Sequence, residues 1–294
     1  MGIGELLWDL LPDGPRLGGA PFNATANLAR LGHDVRFVTV VGDDDLGREA
    51  LLRARGLGVG TTWIAETAAA PTGTVEVALD ASGGPRFRIV SPAAYETIEL
   101  SPERLAAIAA WRPRAIVFGT LAQRFPGVLQ STRAIIDRSA IPVRLYDVNL
   151  REGCWSDDLV LELLTLATIV KVNDDEAAVL GRLLGTPADP GVLGPELGQR
   201  FGARGLCVTR GGDGAALWLD DSLHDVAGIA TEVVDAVGAG DAFAAALLDG
   251  LLRGRDPGDI LVRANRLGAI VASRSGALPD WSIEELDAAP SQPG

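Results

Sequence analysis

The chain has 294 residues, 47% of them hydrophobic, and its 39 acidic against 26 basic side chains give a formal net charge of −13. That length supports a large buried core, and the acidic balance opposes broad attraction to nucleic-acid phosphates or anionic membranes, so neither is an expected partner. Cys154 and Cys207 lie far apart outside any C-x-x-C spacing, which suggests neither a disulfide framework nor a zinc site and reads as two plain buried or half-buried thiols.

Residues 3–10 read as one apolar strand that ends in a Pro-Asp-Gly-Pro turn at 12–15, and residues 23–31 carry small and apolar side chains at helical spacing until Gly32. Residues 35–41 read as the next buried strand. Between Thr61 and Val90, alternating β-branched stretches flank a turn at 80–84, which predicts a small antiparallel sheet. Strands and helices then alternate: helix 102–111, strand 115–118, helix 128–138, strand 143–146, strand 169–172, helix 174–184, strand 206–208, and helices 242–252 and 259–273. A mostly parallel sheet sandwiched between helices follows. The Pro/Ser/Gly tail from residue 289 reads as disordered. Apolar runs such as residues 242–248 are too short to cross a bilayer, and no basic segment leads an apolar one, so the expected location is cytoplasmic.

Lys171 is the only lysine, and its surroundings do not form Gly-x-x-x-x-Gly-Lys-Ser/Thr, so a Walker-type P-loop is excluded, as is a protein-kinase site with its own strand lysine. No complete Gly-x-Gly-x-x-Gly follows a strand, which argues against dinucleotide chemistry. The strongest local signal is Asp-Ala-Val-Gly-Ala-Gly-Asp at 235–241, directly before a helix of small residues. Such a junction directs unpaired backbone N–H groups and the positive end of a helix dipole at one point, a ready site for a phosphoryl group. Asp241 is placed to accept a proton from a hydroxyl attacking there. The same carboxylate also suits simple complementation of the dipole, and this motif alone does not decide between the two.

Gly18-Gly19-Ala20-Pro21-Phe22-Asn23-Ala24-Thr25, with Gly32 and Gly42 at later spacings, resembles the N-terminal signature of the ribokinase-like (PfkB) carbohydrate kinases, and residues 235–241 resemble their C-terminal signature. The resemblance covers nearly the whole chain. It implies a single α/β domain over 1–294, with a three-layer ribokinase-like fold and a small β-sheet lid inserted at about 58–92, residues 10–17 contributing. It also implies transfer of phosphate from ATP to a sugar hydroxyl, with Asp241 as base and the backbone of Gly238, Ala239 and Gly240 as anion hole. Asp9, Gly18, Gly19 and Asn23 are then expected to line the sugar pocket, with Trp8 either covering the C–H side of the sugar or belonging to the core. Asn173 and Glu176 match an Asn-x-x-Glu element that organises magnesium and phosphate, usually through water, although Asn173 equally suits a helix N-cap. Thr209, Gly211 and Gly214 fall in the nucleotide-side loop, Asn265 and residues 273–277 in adenine-side elements. Asp235 would contribute to a monovalent-cation site, with potassium as its ion. Two positions depart from the pattern: Ala236 stands where the family usually has Thr, and the first strand begins only a few residues before Asp9. His33 and His224 match no catalytic position and have no metal-ligand companions.

Asp147-Val148-Asn149-Leu150-Arg151, followed by Cys154-Trp155, resembles the Asp-x-Asn-x-Arg element of fructokinases and 2-keto-3-deoxygluconate kinases, which assigns Asn149 and Arg151 to the substrate and makes fructose the first choice. The opening at residues 4–9 and the stretch 71–75 agree. A ketoacid would need a cation for its carboxylate, from Arg86, Arg88 or Arg151. A nucleoside kinase would need an aromatic or apolar slot near the lid, which the few aromatics do not reveal. A non-catalytic sugar- or nucleotide-sensing protein on the same fold is the alternative of another class; intact Asp241, Gly238, Gly240, Asn173 and Glu176 argue against it. Because an exposed small sheet invites pairing, the lid is expected to join two copies as a homodimer.

Overall fold

A computed structural model describes residues 1–12, 14–79 and 85–288, so the turn expected at 80–84 and the tail lie outside the described residues. The elements run β1 (Gly2–Ile3), β2 (Leu7–Leu11), β3 (Gly14–Gly18), α1 (Ala20–Arg30), β4 (Phe37–Gly42), α2 (Asp45–Gly56), β5 (Ile64–Thr67), β6 (Gly73–Leu79), β7 (Pro85–Ile89), α3 (Pro102–Trp111), β8 (Ala115–Gly119), α4 (Thr120–Gln123) and α5 (Pro126–Ser139). They continue through β9 (Val143–Asp147), α6 (Asp157–Leu164), β10 (Ile169–Asn173), α7 (Asp174–Leu184), α8 (Pro190–Phe201), β11 (Gly205–Thr209), β12 (Ala215–Leu219), β13 (Ser222–Val226), α9 (Ala239–Arg253), α10 (Pro257–Ala272) and α11 (Ile283–Asp287).

Nine strands form the main sheet in the order β13-β12-β11-β10-β9-β8-β1-β4-β5. It is parallel from β5 to β11 and antiparallel only at the β11–β12 and β12–β13 pairings. Strands β4 and β8 are buried along their whole length, as expected where helices cover both faces of a parallel sheet. Small side chains let α9 sit close between α1 and α10: Ala242, Ala244, Ala245 and Ala246 are all fully buried. The alternation read from the sequence is therefore the observed three-layer α/β architecture.

The first strand departs from its expected course. Residues 3–10 form two strands, β1 in the main sheet and β2 in a separate four-stranded sheet of order β3-β2-β6-β7. Gly4 makes the break, with a φ of +150° and a position where a Cβ would lie 2.9 Å from the Pro21 ring, a backbone that a side chain would obstruct. The small sheet is mixed rather than purely antiparallel, because β2 and β6 run parallel between antiparallel outer pairs. Within residues 58–92, β5 joins the edge of the main sheet beside β4, and only β6 and β7 join the small sheet.

The small sheet is tied to the main one at Asp44, the N-cap of α2. Its carboxylate accepts from Gly47 N at 2.7 Å, Thr72 N at 2.8 Å and Thr72 Oγ1 at 2.7 Å, while Thr72 Oγ1 accepts from Gly42 N at 2.9 Å. One capping residue thus fixes the exit of β4, the start of α2 and the entry to β6. The lid is anchored beside the carboxyl ends of the parallel strands, where open α/β sheets bind their ligands.

Candidate active site

Helix α9 opens behind Gly238, whose φ is +80° and whose Cβ, if present, would lie 2.4 Å from the carbonyl oxygen of Ala277. Only glycine fits there. Ala239 N donates to Ala236 O at 3.3 Å, which engages one of the N–H groups expected in the anion hole. The N–H groups of Gly240 and Asp241 have no helical carbonyl four residues behind them and stand among the open donors of the helix start. Gly240 is exposed, and the nearest atom to a Cβ placed on it would be Lys171 Nζ, at 3.6 Å. The junction therefore combines backbone donors with a fixed ammonium group.

Lys171 comes from β10 and stands opposite Asp147 of β9 in the parallel register. Its Nζ donates to both carboxylate oxygens, at 2.9 and 3.1 Å, and each side chain is only 7% exposed. Burial disfavours the ammonium charge, but Asp147, then Glu176 and Asp241, outweigh it and hold the lysine above its usual pKa. It stays charged beside the cradle.

Asp241, half-buried in the first turn of α9, accepts from Asn23 Nδ2 at 2.8 Å. Burial, reinforced by the Asp147 charge, pushes its pKa up to about 6, against the lowering effects of the Asn23 hydrogen bond, Lys171 and Arg151. A carboxyl poised there is deprotonated near neutral pH yet basic enough to take a proton in a transition state. Asn23 is 4% exposed and begins its own turn of α1, where its N donates to Gly19 O at 2.8 Å.

Asp9, on β2, is paired in register with Arg16 of β3, and its carboxylate reaches along that strand to Gly18, where a Cβ would lie 2.9 Å from Asp9 Oδ2. Burial raises the Asp9 pKa, while Arg151 and Arg16 draw it down. Arg151 also acts on Asp241, so its charge reaches Asp9 on β2 and Asp241 on α9 alike. Asn149, in the loop that delivers Arg151, takes a positive φ of 41°, a conformation asparagine tolerates better than most residues. That loop is pinned by Glu176: Oε1 accepts from Leu150 N at 2.8 Å and Oε2 from Asn173 N at 2.9 Å, while Glu176 N donates to Asn173 Oδ1 at 2.9 Å. Asn173 and Glu176 form a full capping box at the start of α7.

The description pfkB family carbohydrate kinase matches residues 15–283. The chain belongs to this family of carbohydrate kinases. It is 32% identical to a fructokinase of Klebsiella pneumoniae over 295 aligned positions, 94% of each chain. The solved structure of fructokinase from Xylella fastidiosa with bound ATP is similar at 25% identity, covering 94% of this chain and 92% of that one with a TM-score of 0.81. Fructokinase from Vibrio cholerae O395 with fructose, ADP and calcium bound is similar at 28% identity, covering 94% and 93%, with a TM-score of 0.77.

In this carbohydrate kinase the remaining expected residues divide by what they touch. Asp235 Oδ1 accepts from Val237 N at 3.0 Å and Oδ2 from Gly276 N at 2.9 Å, and the same oxygen lies 3.4 Å from Arg16 Nη1. Arg16, on β3, also reaches Ser275 Oγ at 2.9 Å. The carboxylate expected at a cation site thus already joins the lid to two loops. Thr209 Oγ1 donates to Val172 O at 3.2 Å and Asn265 Nδ2 to Ala227 O at 3.2 Å, so both brace neighbouring segments through backbone carbonyls. A Cβ on Gly214 would lie 2.1 Å from Val226 O, whereas Gly211 has open space around it.

Trp8 belongs to the core and not to the pocket wall: it is 1% exposed, donates to Leu46 O at 3.0 Å and lies under Arg53. Of the three arginines considered for a ketoacid, Arg151 acts by its charge on Asp9 and Asp241, Arg88 is exposed and paired with Glu76, and the side chain of Arg86 lies outside the described residues. His33 bonds Asp249 Oδ1 at 2.8 Å, on the far turns of α9. The sequence reading missed Lys171 beside the start of α9, and with it Asp147 as its partner and Arg16 as the link to Asp235. For Lys171 there was a signal, a lone lysine inside the apolar run of β10.

Among the described residues no group of three His, Cys, Asp or Glu side chains is placed to hold a metal ion. Both Glu176 oxygens already receive backbone N–H groups, with lone pairs left for water. This donor set fits a magnesium ion bound mainly by phosphates and water and does not fit a direct protein cage.

Proposed function

We propose that the chain is a fructokinase that transfers the γ-phosphoryl group of magnesium-bound ATP to a hydroxyl of fructose. The observation that carries this reading is the juxtaposition of Asp241, held by Asn23, with the Gly240 and Asp241 N–H groups and the Lys171 ammonium. The fructokinase relatives at about the same length support the choice of sugar.

In the reaction, the acceptor oxygen forms the new bond to phosphorus as the bond to the ADP oxygen breaks, and Asp241 takes the acceptor proton. The backbone donors and Lys171 stabilise the charge on the transferring phosphoryl group. Magnesium, when bound with ATP, neutralises phosphate charge, and Asn173 and Glu176 would orient it through water. Asp9, Gly18, Gly19, Asn149 and Arg151 hold the sugar; Thr209, Gly211, Gly214 and Asn265 shape the nucleotide side. A potassium ion at Asp235 would share that carboxylate with Arg16. Arg151 gives 2-keto-3-deoxygluconate a carboxylate partner, which makes it the second substrate to test.

ADP release is measured with fructose, 2-keto-3-deoxygluconate, ribose and adenosine, with Asp241→Asn beside the unaltered protein. Turnover of fructose, lost in the variant, is expected; preference for another acceptor replaces fructose, and binding without turnover favours a sensing protein. We further place the enzyme in the cytoplasm, where ATP is available; among the described residues no helix is long and apolar enough to cross a membrane. The two open edges of the lid, β3 and β7, favour a homodimer through the lid, which sedimentation velocity tests.

A further inference from the structure

A buried carboxyl that the scheme above leaves unused lies at the point where the chain passes from the main sheet to the lid. Glu5 follows the Gly4 break between β1 and β2 and is 4% exposed. The N–H groups of Glu5 and Ala20 bond its carboxyl, yet Oε2 has no hydrogen-bond partner. Buried polar atoms in folded proteins are nearly always partnered, and one without a partner calls for a specific explanation. Capping the Ala20 N–H at the start of α1 uses the carboxyl but leaves Oε2 unaccounted for, a buried polar atom that costs stability when it has no partner.

Its surroundings place it at the acceptor pocket. A Cβ on Gly19 would lie 2.3 Å from Glu5 O and 3.4 Å from Glu5 Cγ, so Glu5 is the floor beneath the second glycine of the pair. The charges of Arg151 and Asp241 both act on its carboxyl. Glu5 in turn acts on the hydroxyl of Tyr95, which is 0% exposed and whose Oη also has no partner. Asn23, which holds Asp241 through Nδ2, has an unpartnered, buried Oδ1. Two unpartnered polar atoms, Glu5 Oε2 and Asn23 Oδ1, thus belong to side chains tied to the glycine pair and to Asp241, and the unpartnered Tyr95 hydroxyl lies within range of the Glu5 charge. Burial brings the Glu5 pKa to about 7, so the carboxyl can either accept from or donate to a hydroxyl at neutral pH.

We propose that Glu5 is a specificity-determining residue: its free oxygen, backed by the Tyr95 hydroxyl, bonds an acceptor hydroxyl other than the one phosphorylated. It thereby selects polyhydroxylated acceptors over deoxy analogues. The inference rests on the reading of the site as a sugar kinase.

The test compares kcat/KM for the sugar the enzyme turns over with that for its singly deoxygenated analogues, in the unaltered protein, Glu5→Leu, Glu5→Gln and Tyr95→Phe. In the unaltered protein one analogue is expected to be poorer by about 10- to 100-fold, the worth of one hydrogen bond to an ionisable group. Glu5→Leu should bring that ratio close to one, with the KM for ATP unchanged, and Glu5→Gln should restore part of it. If Glu5→Leu does not fold, Tyr95→Phe and Glu5→Gln must each still shrink the ratio for that same analogue. An equal loss on every acceptor, or ratios unchanged in all variants, overturns the role of Glu5 while leaving the kinase reading intact. Failure of the unaltered protein to phosphorylate any sugar overturns both.

Discussion

Replacing Lys171 by Met tests whether its ion pair with Asp147 belongs to folding, to catalysis or to both. The variant leaves Asp147 buried without its cation, and breaking a buried pair in this way costs about 3–5 kcal/mol. For a chain somewhat larger than 250 residues, with each kcal/mol worth about 2–4 °C, the melting temperature should fall by roughly 6–20 °C. Removing Asp147 as well, as Lys171→Met/Asp147→Leu, takes away both charges and should recover most of that loss, because an apolar pair of similar volume is often as stable as a buried ion pair. Catalysis should not recover with it. The ammonium borders the Gly240 cradle, and loss of one preorganised group of that kind lowers kcat by about 10²–10³. Scanning calorimetry and initial rates on both variants separate the effects. A melting temperature within about 2 °C of the unaltered protein for Lys171→Met, or full activity in the double variant, would refute the argument.

Asp241→Asn should lower kcat by about 10²–10⁴, the usual contribution of a general base, while calorimetric titration still finds ATP binding. Its stability effect has a defined sign. A carboxyl whose folded pKa is raised, here from 3.8 to about 6, contributes stability that is present below about pH 4 and lost as pH rises through about 6. The Asn variant should therefore gain on the unaltered protein between pH 4 and pH 8, read as the difference in melting temperature; a constant difference would contradict the burial argument. For the same reason kcat/KM of the unaltered enzyme should rise through an acid limb near pH 6, checked by a pH–rate profile at saturating magnesium-ATP. Gly238→Ala places a methyl group against Ala277 O at a φ of +80°; the left-handed conformation alone costs about 1–2 kcal/mol, and the displaced helix start should lower kcat more than it raises the KM for the sugar.

What was legible in the sequence was local, and what was missed depended on register. The Asp241 site could be read because its parts are consecutive: glycines that free the backbone, then an acid in the first turn of a helix. Glu176 and Asn173 could be read for the same reason, since a capping box spans four positions. Lys171 and Asp147 lie 24 positions apart, and nothing in that spacing says that β9 and β10 align them side by side. The split of residues 3–10 was hidden because β1 and β2 are both apolar, so only the backbone angle at Gly4 separates a strand of the core from a strand of the lid. Helix α8 gave no helical signal, with Gly191, Gly194, Gly198 and an internal Pro195. Tertiary packing explains two of those glycines, because Cβ atoms at 194 and 198 would lie 2.5 and 2.9 Å from the Trp218 ring system. Intrinsic propensity yields there to a close helix-on-sheet contact.

Arg16 extends this logic to function. Alone in the sequence it is an arginine after a turn, yet β3 carries it across to Asp235 and Ser275, on the two loops that flank the start of α9. Side chains of the small sheet and of the loops around the start of α9 therefore meet directly, and Arg151 acts on Asp9 by its charge. The small sheet is thereby joined to the segment that opens α9, whose first turn carries Asp241. On the proposed reading of the site, acceptor binding at β2 and β3 is coupled to the geometry of the α9 start through Arg16, which lies 219 positions from Asp235 in the chain and within hydrogen-bonding reach of it in the fold.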